Sequence, residues 1–309
     1  MKTYRIFQAA VLAVLLISSN IMAEPGVLQI DQACVDVGCF GGDDPGFPVE
    51  ITAPGNYELT SDLNVPSIDL GGILSSVPGV TLDLNGFSVT SVGGCSGEPL
   101  VCTIGSGTGI SLRTRSVIKN GSVTGFGNNG VWVDDGSRVA NMFAEGNGSW
   151  GFRLGSSTVV RDSVAIRNQK GFAAGRTCIL DSIVATENID FGVALNGTPA
   201  DGGSVIRNCS LTFNGTAIFD WGNSKIENCA LQRNVGAIDS ANGGTEISST
   251  QIIFNTRALL NRGGERFSSP PPPVVIRDST FTQNELPILN GAPGEIIWST
   301  GNVCDSPAC

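Results

Sequence analysis

The chain repeats a pattern of alternating apolar and polar positions about every 20 residues. Each unit opens with an aliphatic residue, one variable residue and a short polar residue, and successive units begin 19 to 29 residues apart. Repeats of this period indicate a solenoid in which each unit stacks on its neighbours. The aliphatic and polar members are Ile118/Asn120, Val139/Asn141, Val160/Asp162, Ile179/Asp181, Ile206/Asn208, Ile226/Asn228, Ile247/Ser249 and Ile276/Asp278.

Two further apolar columns follow in each unit, and a second asparagine lies between them. No segment has apolar residues at helical spacing, so short period-2 strands separated by turns are predicted. Three such strands in each unit predict an all-β fold, a single-stranded right-handed parallel β-helix of roughly 10 coils. The second column is Val123, Ala144, Ala165, Val184, Leu211, Leu231, Ile252 and Phe281, and the third is Val131, Phe152, Phe172, Val193, Ile218, Ile238, Leu259 and Ile288.

The two asparagines of a unit are expected to have different roles. In "SVIRNCSLTFNGTAIFD" (204–220), strict alternation from Ile206 places Asn208 on the inner face. A buried amide needs hydrogen-bonding partners, which an asparagine in the next coil can supply. Asn208 is therefore predicted to belong to an internal asparagine ladder. Asn214 breaks the alternation and is predicted to be a turn residue.

The chain is predicted to have four segments: 1–23, 24–79, 80–294 and 295–309. The first combines Lys2 and Arg5 with an apolar run and ends at Ala23, which is typical of a secretory signal peptide. A disulfide-stapled N-terminal cap, the β-helix and a C-terminal cap follow. The expected location is secreted, periplasmic or cell-surface, and no run is long enough to span a membrane.

Nine cysteines in an exported chain indicate disulfides. Three pairs close in sequence are predicted loop staples: Cys34/Cys39, Cys95/Cys102 and Cys304/Cys309. Cys209 and Cys229 occupy equivalent places in adjacent coils, and either a bridge or two buried thiols fits them. Cys178 is left over.

Composition excludes several functions. The chain has no histidine, which removes Ser-His-Asp and Cys-His catalysis and histidine metal sites. The 28 acidic residues outnumber the 18 basic ones, which disfavours nucleic acid as a partner. No cofactor is expected. Ca²⁺ is left open at Asp43-Asp44, although a loop start is the favoured interpretation there.

The stretch "PGVTLDLNGFSVTS" (78–91) and the reiterated "VIRNC"-type phrases resemble the right-handed parallel β-helix repeat family, which is pectate-lyase-like. The segment 33–63 resembles the N-terminus of an uncharacterised exported bacterial subset. The resemblance implies a polysaccharide groove along one sheet, here the sheet containing 217–220. Its histidine motifs are impossible in this chain, and no acidic Ca²⁺ cluster with a basic residue is found.

Two long loops indicate where a site would lie. They fall at the same corner, between Leu195 and Ile206 and between Asn261 and Ile276, and are expected to wall a short cleft. Exposed aromatic rings beside carboxylates suit a sugar, which has an apolar face and hydroxyl edges. The candidate binding residues are Phe219, Asp220, Trp221, Trp132 and Asp134, and the candidate catalytic groups are Asp190, Asp239, Lys170 and Arg153.

For each group a structural role is the competing interpretation. Trp221 could pack under a loop, the aspartates could form turns, and Trp132 with its neighbours could be an ordinary solvated face. The sequence favours a monomeric, non-catalytic protein that binds extracellular polysaccharide or acts at the cell surface. The alternative is a polysaccharide lyase or glycoside hydrolase.

Overall fold

The computed structural model describes residues 26–196, 203–262, 272–290 and 295–305. The chain forms an all-β, right-handed parallel solenoid of about 11 coils, which confirms the predicted fold. Within the described residues no helix is long and apolar enough to cross a membrane. A four-residue helix, Gln32–Val35, follows Asp31, whose side chain accepts a hydrogen bond from the Cys34 amide.

A full coil contains three strands, which we call a, b and c in chain order, and each pairs in parallel with its equivalent in the next coil. The a and b strands form a first sheet of 21 strands, and the c strands form a second sheet of 11. The c strands are Val49–Ile51, Ile73–Ser75, Ile110–Leu112, Val131–Val133, Trp150–Leu154, Lys170–Ala174, Phe191–Leu195, Thr216–Asp220, Gly236–Ser240, Arg257–Asn261 and Leu286–Asn290.

The first sheet extends into both segments that the sequence assigns to caps. The a strands are Leu28–Ile30, Gly55–Leu59, Val80–Asp83, Val159–Arg161, Ile179–Asp181, Val205–Arg207, Lys225–Glu227, Glu246–Ser248, Val274–Arg277 and Ile296–Trp298. The b strands are Leu63–Val65, Ser88–Ser91, Val164–Ile166, Val184–Thr186, Ser210–Thr212, Ala230–Gln232, Gln251–Ile253, Thr280–Thr282 and Val303–Cys304. In two coils a and b join as Val117–Thr124 and Arg138–Glu145. An antiparallel hairpin, Cys95–Ser96 with Val101–Cys102, lies outside both sheets.

The roles of the two asparagines are the reverse of those predicted. Asn208 has φ 54° and is exposed at the first corner, between strands a and b. Asn214 is 2 % exposed, inside the second corner between strands b and c. Alternation fails as a counting rule because each corner inserts one left-handed residue, after which the next side chain points inward. Cys209 follows Asn208 inward, and Asn214 follows the left-handed Phe213 inward.

The predicted asparagine ladder exists, but at the second corner. From Asn147 to Asn255, each ladder side-chain amide donates to the carboxamide oxygen of the asparagine in the next coil, over 2.8 to 3.2 Å. The Asn214 amide also donates to the Ala185 carbonyl of the coil before it, at 2.9 Å. The amide groups are therefore satisfied without water. The ladder residues are Asn147, Asn168, Asn188, Asn214, Asn234, Asn255 and Asn284.

One coil departs from the predicted register by a residue. Leu180 pairs with Ile206, so Leu180 occupies the aliphatic column and Ser182, at φ 56°, occupies the corner. The sequence pattern predicts Asp181 at this corner because Ile179, two residues earlier, also fits the aliphatic position. With Ser182 at the corner, Asn188 follows six residues later, the same spacing as from Asn208 to Asn214.

Disulfides fasten the solenoid at several points. Cys34–Cys39 and Cys95–Cys102 form as predicted, and Cys209–Cys229 bridges adjacent coils. Cys304 is disulfide-bonded, while its expected partner Cys309 lies outside the described residues. Cys178 is a free, buried thiol, and burial raises its pKa to about 11, so that it stays protonated at neutral pH.

The ladder should carry more stability than the outer asparagines. Replacing Asn214 by Ala leaves the buried Asn188 backbone N–H without its acceptor and removes one acceptor of the Asn188 side-chain amide, which we expect to cost about 1–3 kcal/mol. Asn208→Gly keeps a residue suited to the left-handed corner and should change stability by less than about 1 kcal/mol. Urea denaturation of the two variants measures the difference. Equal midpoints would contradict the assignment of the ladder.

Candidate functional site

The outward face of the second sheet brings together most of the residues predicted to bind or react. The pairing register aligns these outward residues in three columns that run along the solenoid. The first is Trp150, Lys170, Phe191, Thr216, Gly236 and Arg257; the second is Ser111, Trp132, Arg153, Ala173, Ala194, Phe219, Asp239 and Leu260; the third is Asp134, Gly155, Gly175, Asn196, Trp221, Ala241 and Arg262.

Four aromatic rings follow one another diagonally across this face. Trp150 stacks on Phe191 at 6.5 Å, and Phe191 lies 5.4 Å from Phe219. Phe219 in turn meets Trp221 edge-on at 5.4 Å. All four side chains are partly exposed. We call the set Trp150, Phe191, Phe219 and Trp221 the aromatic path.

Small side chains lie beside the aromatic path. Ala173 and Ala194 occupy the second column between Arg153 and Phe219, and they are 7 % and 6 % exposed. In the third column, Gly155 and Gly175 belong to the coils of Arg153 and Ala173, and Asn196 belongs to the coil of Ala194. Short, largely buried side chains therefore border the rings.

The two patches predicted from the sequence belong to one surface. Trp132 pairs in register with Arg153, whose guanidinium lies 4.5 Å from the Trp132 ring centroid. Asp134 forms an ion pair with Arg113 at 3.5 Å. Arg153 and Phe219 are three coils apart in the same column, about 14 Å at the spacing of parallel strands. The sequence pattern predicted two separate patches because it did not identify Trp150 and Phe191, which lie between them.

Lys170 and Asp190 are neighbours at the edge of this face. The Lys170 ammonium lies 3.8 Å from an Asp190 carboxylate oxygen and 5.3 Å from the Trp150 ring centroid. Gln169 donates a hydrogen bond to the same oxygen at 3.1 Å. The side chains are 30 % and 39 % exposed, so both remain accessible to a ligand on the rings.

Asp239 is held by an arginine. Arg262 donates from Nε at 2.8 Å and from Nη2 at 2.5 Å, one bond to each carboxylate oxygen. The Asp239 side chain is 5 % exposed, and this two-point pairing engages both of its oxygens. The carboxylate anchors Arg262, which is exposed at the rim of the face.

Asp190 and Asp239 do not form a catalytic pair. They lie two coils apart and four residues apart across the sheet. Standard strand dimensions make this about 10 Å along the solenoid and about 13 Å across it. The carboxyl groups of inverting glycoside hydrolases lie within about 6.5–9.5 Å and those of retaining enzymes within about 5.5 Å.

The structure corrects the position expected for Asp220. In the strand Thr216–Asp220, Ile218 and Asp220 point inward, while Phe219 points outward. Asp220 is fully buried and accepts hydrogen bonds from Thr245, Ser224 and the Gly222 amide at 2.5, 2.8 and 3.0 Å. Burial raises the pKa of this carboxyl. Asp220 stabilises the third corner, between strand c and the next strand a, and cannot touch a ligand on the face.

The two long loops proposed as walls lie largely outside the described residues, at 197–202 and 263–271. Asp43 has a structural position. Its carboxylate accepts the Cys39 and Glu50 amides, each at 2.7 Å, which organises the N-terminal loop. Among the described residues no group of three or more Cys, Asp or Glu side chains could hold a metal ion.

Asp220 generates a testable pH dependence. Its pKa is raised in the folded chain, so its contribution to stability is complete below the unfolded pKa of about 4 and is lost as pH rises through the folded pKa. Because an asparagine side chain does not ionise, the Asp220→Asn variant does not lose this stability as the pH rises. The melting temperature of the variant, relative to the unmodified chain, should therefore rise between about pH 4 and pH 8. Parallel melting curves across this range would show that Asp220 does not titrate in this way.

Comparison with solved structures confirms the fold. The chain is similar to the Azotobacter vinelandii mannuronan C-5 epimerase AlgE6 A-module, at 14 % identity and a TM-score of 0.54, over 92 % of this chain and 90 % of that one. The chain is also similar to the AlgE4 A-module of the same organism, at 14 % identity and a TM-score of 0.53, over 88 % of this chain and 89 % of that one. A third similar structure is the periplasmic alginate epimerase AlgG, at 10 % identity and a TM-score of 0.52, over 84 % of this chain and 77 % of that one. No protein-family model and no curated protein matches the chain. At these identities the likeness establishes a right-handed parallel β-helix.

Proposed function

We propose that the outward face of the second sheet binds an extracellular polysaccharide without cleaving it. The observation that carries the proposal is the aromatic path, four partly exposed rings in continuous contact beside alanine and glycine. Aromatic faces pack against the apolar face of a sugar ring, and nearby polar groups satisfy its hydroxyls. The similar structures include a mannuronan C-5 epimerase module and an alginate epimerase, and mannuronan and alginate belong to this class of ligand because both are polysaccharides.

The charged groups on the face support binding more than reaction. Arg262 donates hydrogen bonds to Asp239, Arg113 pairs with Asp134, and Arg153 stacks on Trp132. Each of these groups is fixed by a neighbour and presents a hydrogen-bonding edge to the surface. The chain has no histidine to act as a general acid or base. Such a face orients sugar hydroxyls and is compatible with a surface role.

Export is part of the proposal. Disulfides form and persist in oxidising compartments, and Cys34–Cys39, Cys95–Cys102 and Cys209–Cys229 are bridged here. The signal-peptide pattern of residues 1–23 agrees with this. A periplasmic, secreted or cell-surface location would place the face in contact with extracellular glycans. The monomeric state and the absence of a cofactor stay predictions.

One observation favours a second candidate function, that of a polysaccharide lyase or glycoside hydrolase. Lys170 and Asp190 are both partly exposed next to the Trp150 ring, so an acidic and a basic group would flank a sugar bound there. Incubating the polymers that bind, with and without Ca²⁺, and analysing the products by mass spectrometry tests this function. If the unmodified protein produced shortened polymer chains and the Asp190→Asn variant did not, the enzymatic function would replace the non-catalytic proposal.

Binding can be tested by truncating the aromatic path. Trp150→Ala and Trp221→Ala should each weaken binding of a captured polysaccharide by about tenfold or more, as expected for loss of an aromatic anchor. Affinity electrophoresis against alginate, pectin, cellulose and chitin measures the change, and melting temperatures verify the fold.

Ile297→Ala is the matched control, since Ile297 is an apolar side chain, 41 % exposed, on the first sheet. It should leave affinity within about twofold. Unchanged affinity in both tryptophan variants would exclude the aromatic path as the binding surface.

A further inference from the structure

The second corner carries long side chains where the backbone favours short ones. At each first corner the left-handed position holds Asn, Asp or Ser, as at Asn208. At the second corner, residues with φ between 52° and 57° are Arg167, Glu187, Phe213, Arg233, Phe254 and Gln283. Left-handed backbone favours Gly, Asn and Asp and is uncommon for bulky residues. Backbone geometry therefore does not explain the side chains at this corner.

Three of these residues form a row on the surface. Phe213 is 54 % exposed and Phe254 is 49 % exposed. The Arg233 guanidinium lies between them, 5.7 and 5.8 Å from the two ring centroids. Rings that remain half exposed bury little apolar area, so folding gains little from them. We call Phe213, Arg233 and Phe254 the corner row.

The charge of Arg233 is available to a ligand. Its guanidinium stacks on the phenyl rings, and no carboxylate of the described residues lies within ion-pair distance of it. Arg167, in the same column, is instead paired with Glu187 at 2.7 Å. The corner row thus presents one planar cation, flanked on both sides by aromatic faces.

The disulfide-bonded hairpin turns this row into a groove. The hairpin grows from the second corner of an earlier coil, and Cys95–Cys102 joins its strands. Its residues Gly97, Glu98, Pro99 and Leu100 face the corner across a cavity of about 740 Å³. Phe213, Arg233 and the Arg167–Glu187 ion pair line the opposite side, and Phe254 lies one coil beyond the cavity. Since covalent and strand pairing fix the hairpin, the groove is preformed, which reduces the ordering cost of binding.

We propose that this corner groove and the adjoining Phe254 bind an acidic sugar chain, with pyranose rings on Phe213 and Phe254 and a carboxylate on Arg233. The planar guanidinium matches a carboxylate through two parallel hydrogen bonds. The two phenyl rings are two coils apart, about 9.6 Å at the strand spacing, which is close to the advance of two linked pyranoses. A peptide of acidic residues alone, such as hexaglutamate, would use the cation but has no ring faces for the phenyl groups.

The corner groove is separate from the aromatic path. It lies at the bend before the c strands, whereas the path lies on the outward face of those strands. The inference therefore does not depend on what the aromatic path binds, and each surface can be removed without the other.

Asparagine substitutions separate binding from folding at this corner. In the variant Phe213→Asn/Arg233→Asn/Phe254→Asn, each replacement suits left-handed backbone, as Asn208 does at the first corner. We expect the melting temperature to be unchanged or higher, while the Kd for hexamers of galacturonate and mannuronate rises by about tenfold or more. Calorimetric titration of the full chain measures both hexamers. Unchanged affinity in the variant, or binding of neither hexamer by the unmodified chain, would overturn the inference.

The ligand's charge is tested with a single variant. The unmodified chain should bind hexagalacturonate about tenfold more tightly than its methyl ester, and Arg233→Gln should remove that preference. If the unmodified chain bound the acid and the ester equally well, the role of Arg233 would be wrong. If it bound hexaglutamate as tightly as hexagalacturonate, the assignment of a sugar as the ligand would be wrong.

Ile297→Ala, on the first sheet and outside both surfaces, is the matched control. It should leave hexamer affinity within about twofold. Loss of hexamer binding in Trp150→Ala, with binding kept in the asparagine variant, would place the acidic sugar on the aromatic path and overturn the corner site. Loss of polymer binding together with retained hexamer binding would support two separate surfaces.

Discussion

The stack of inward asparagines at the second corner is the constraint on which the rest of the solenoid depends. Each coil must turn sharply between strands b and c, and the turn leaves backbone carbonyls and amides inside the wall. The ladder carboxamide satisfies them. The Asn214 amide donates to the Ala185 carbonyl of the previous coil and to the Asn234 oxygen of the next one, and the Asn214 oxygen accepts from the Asn188 backbone and side chain in the previous coil. The residue before each asparagine is then forced into left-handed backbone, with its side chain outward.

This constraint explains which parts of the fold the sequence predicts. Aliphatic columns at a period near 20 residues require stacked coils, so the parallel β-helix and most of its register follow directly. The roles of Asn208 and Asn214 did not follow, because alternation cannot locate a left-handed residue within an uninterrupted apolar pattern. Both sit beside apolar neighbours, and only the backbone angle shows which of them points inward.

The candidate site was predictable to a lesser extent, for a related reason. Trp132, Arg153, Phe219 and Trp221 lie outward as expected, since they fall between inward residues of c strands. Asp220 was misplaced because its polarity suggested exposure, whereas Thr245 and Ser224 satisfy it inside the coil. The corner row was missed because a phenylalanine such as Phe213 is not expected at an exposed turn.

Both surfaces use the coil spacing in the same way. A parallel β-helix repeats side chains at about 4.8 Å, so aromatic residues at equivalent or diagonal positions form a ruler suited to a linear sugar polymer. The corner differs from the face in Arg233, which is stacked on two rings and has no carboxylate partner among the described residues. The two proposals together assign two glycan-binding chemistries to neighbouring sides of one chain.

The central claim is that the aromatic path is the polysaccharide-binding surface of the chain. A crystal structure with an oligosaccharide of a captured polymer tests it most directly. The account predicts sugar rings stacked along Trp150, Phe191, Phe219 and Trp221, with hydroxyls in contact with Asp190 and Arg262. An oligosaccharide bound on the first sheet, with the aromatic path empty, would contradict it.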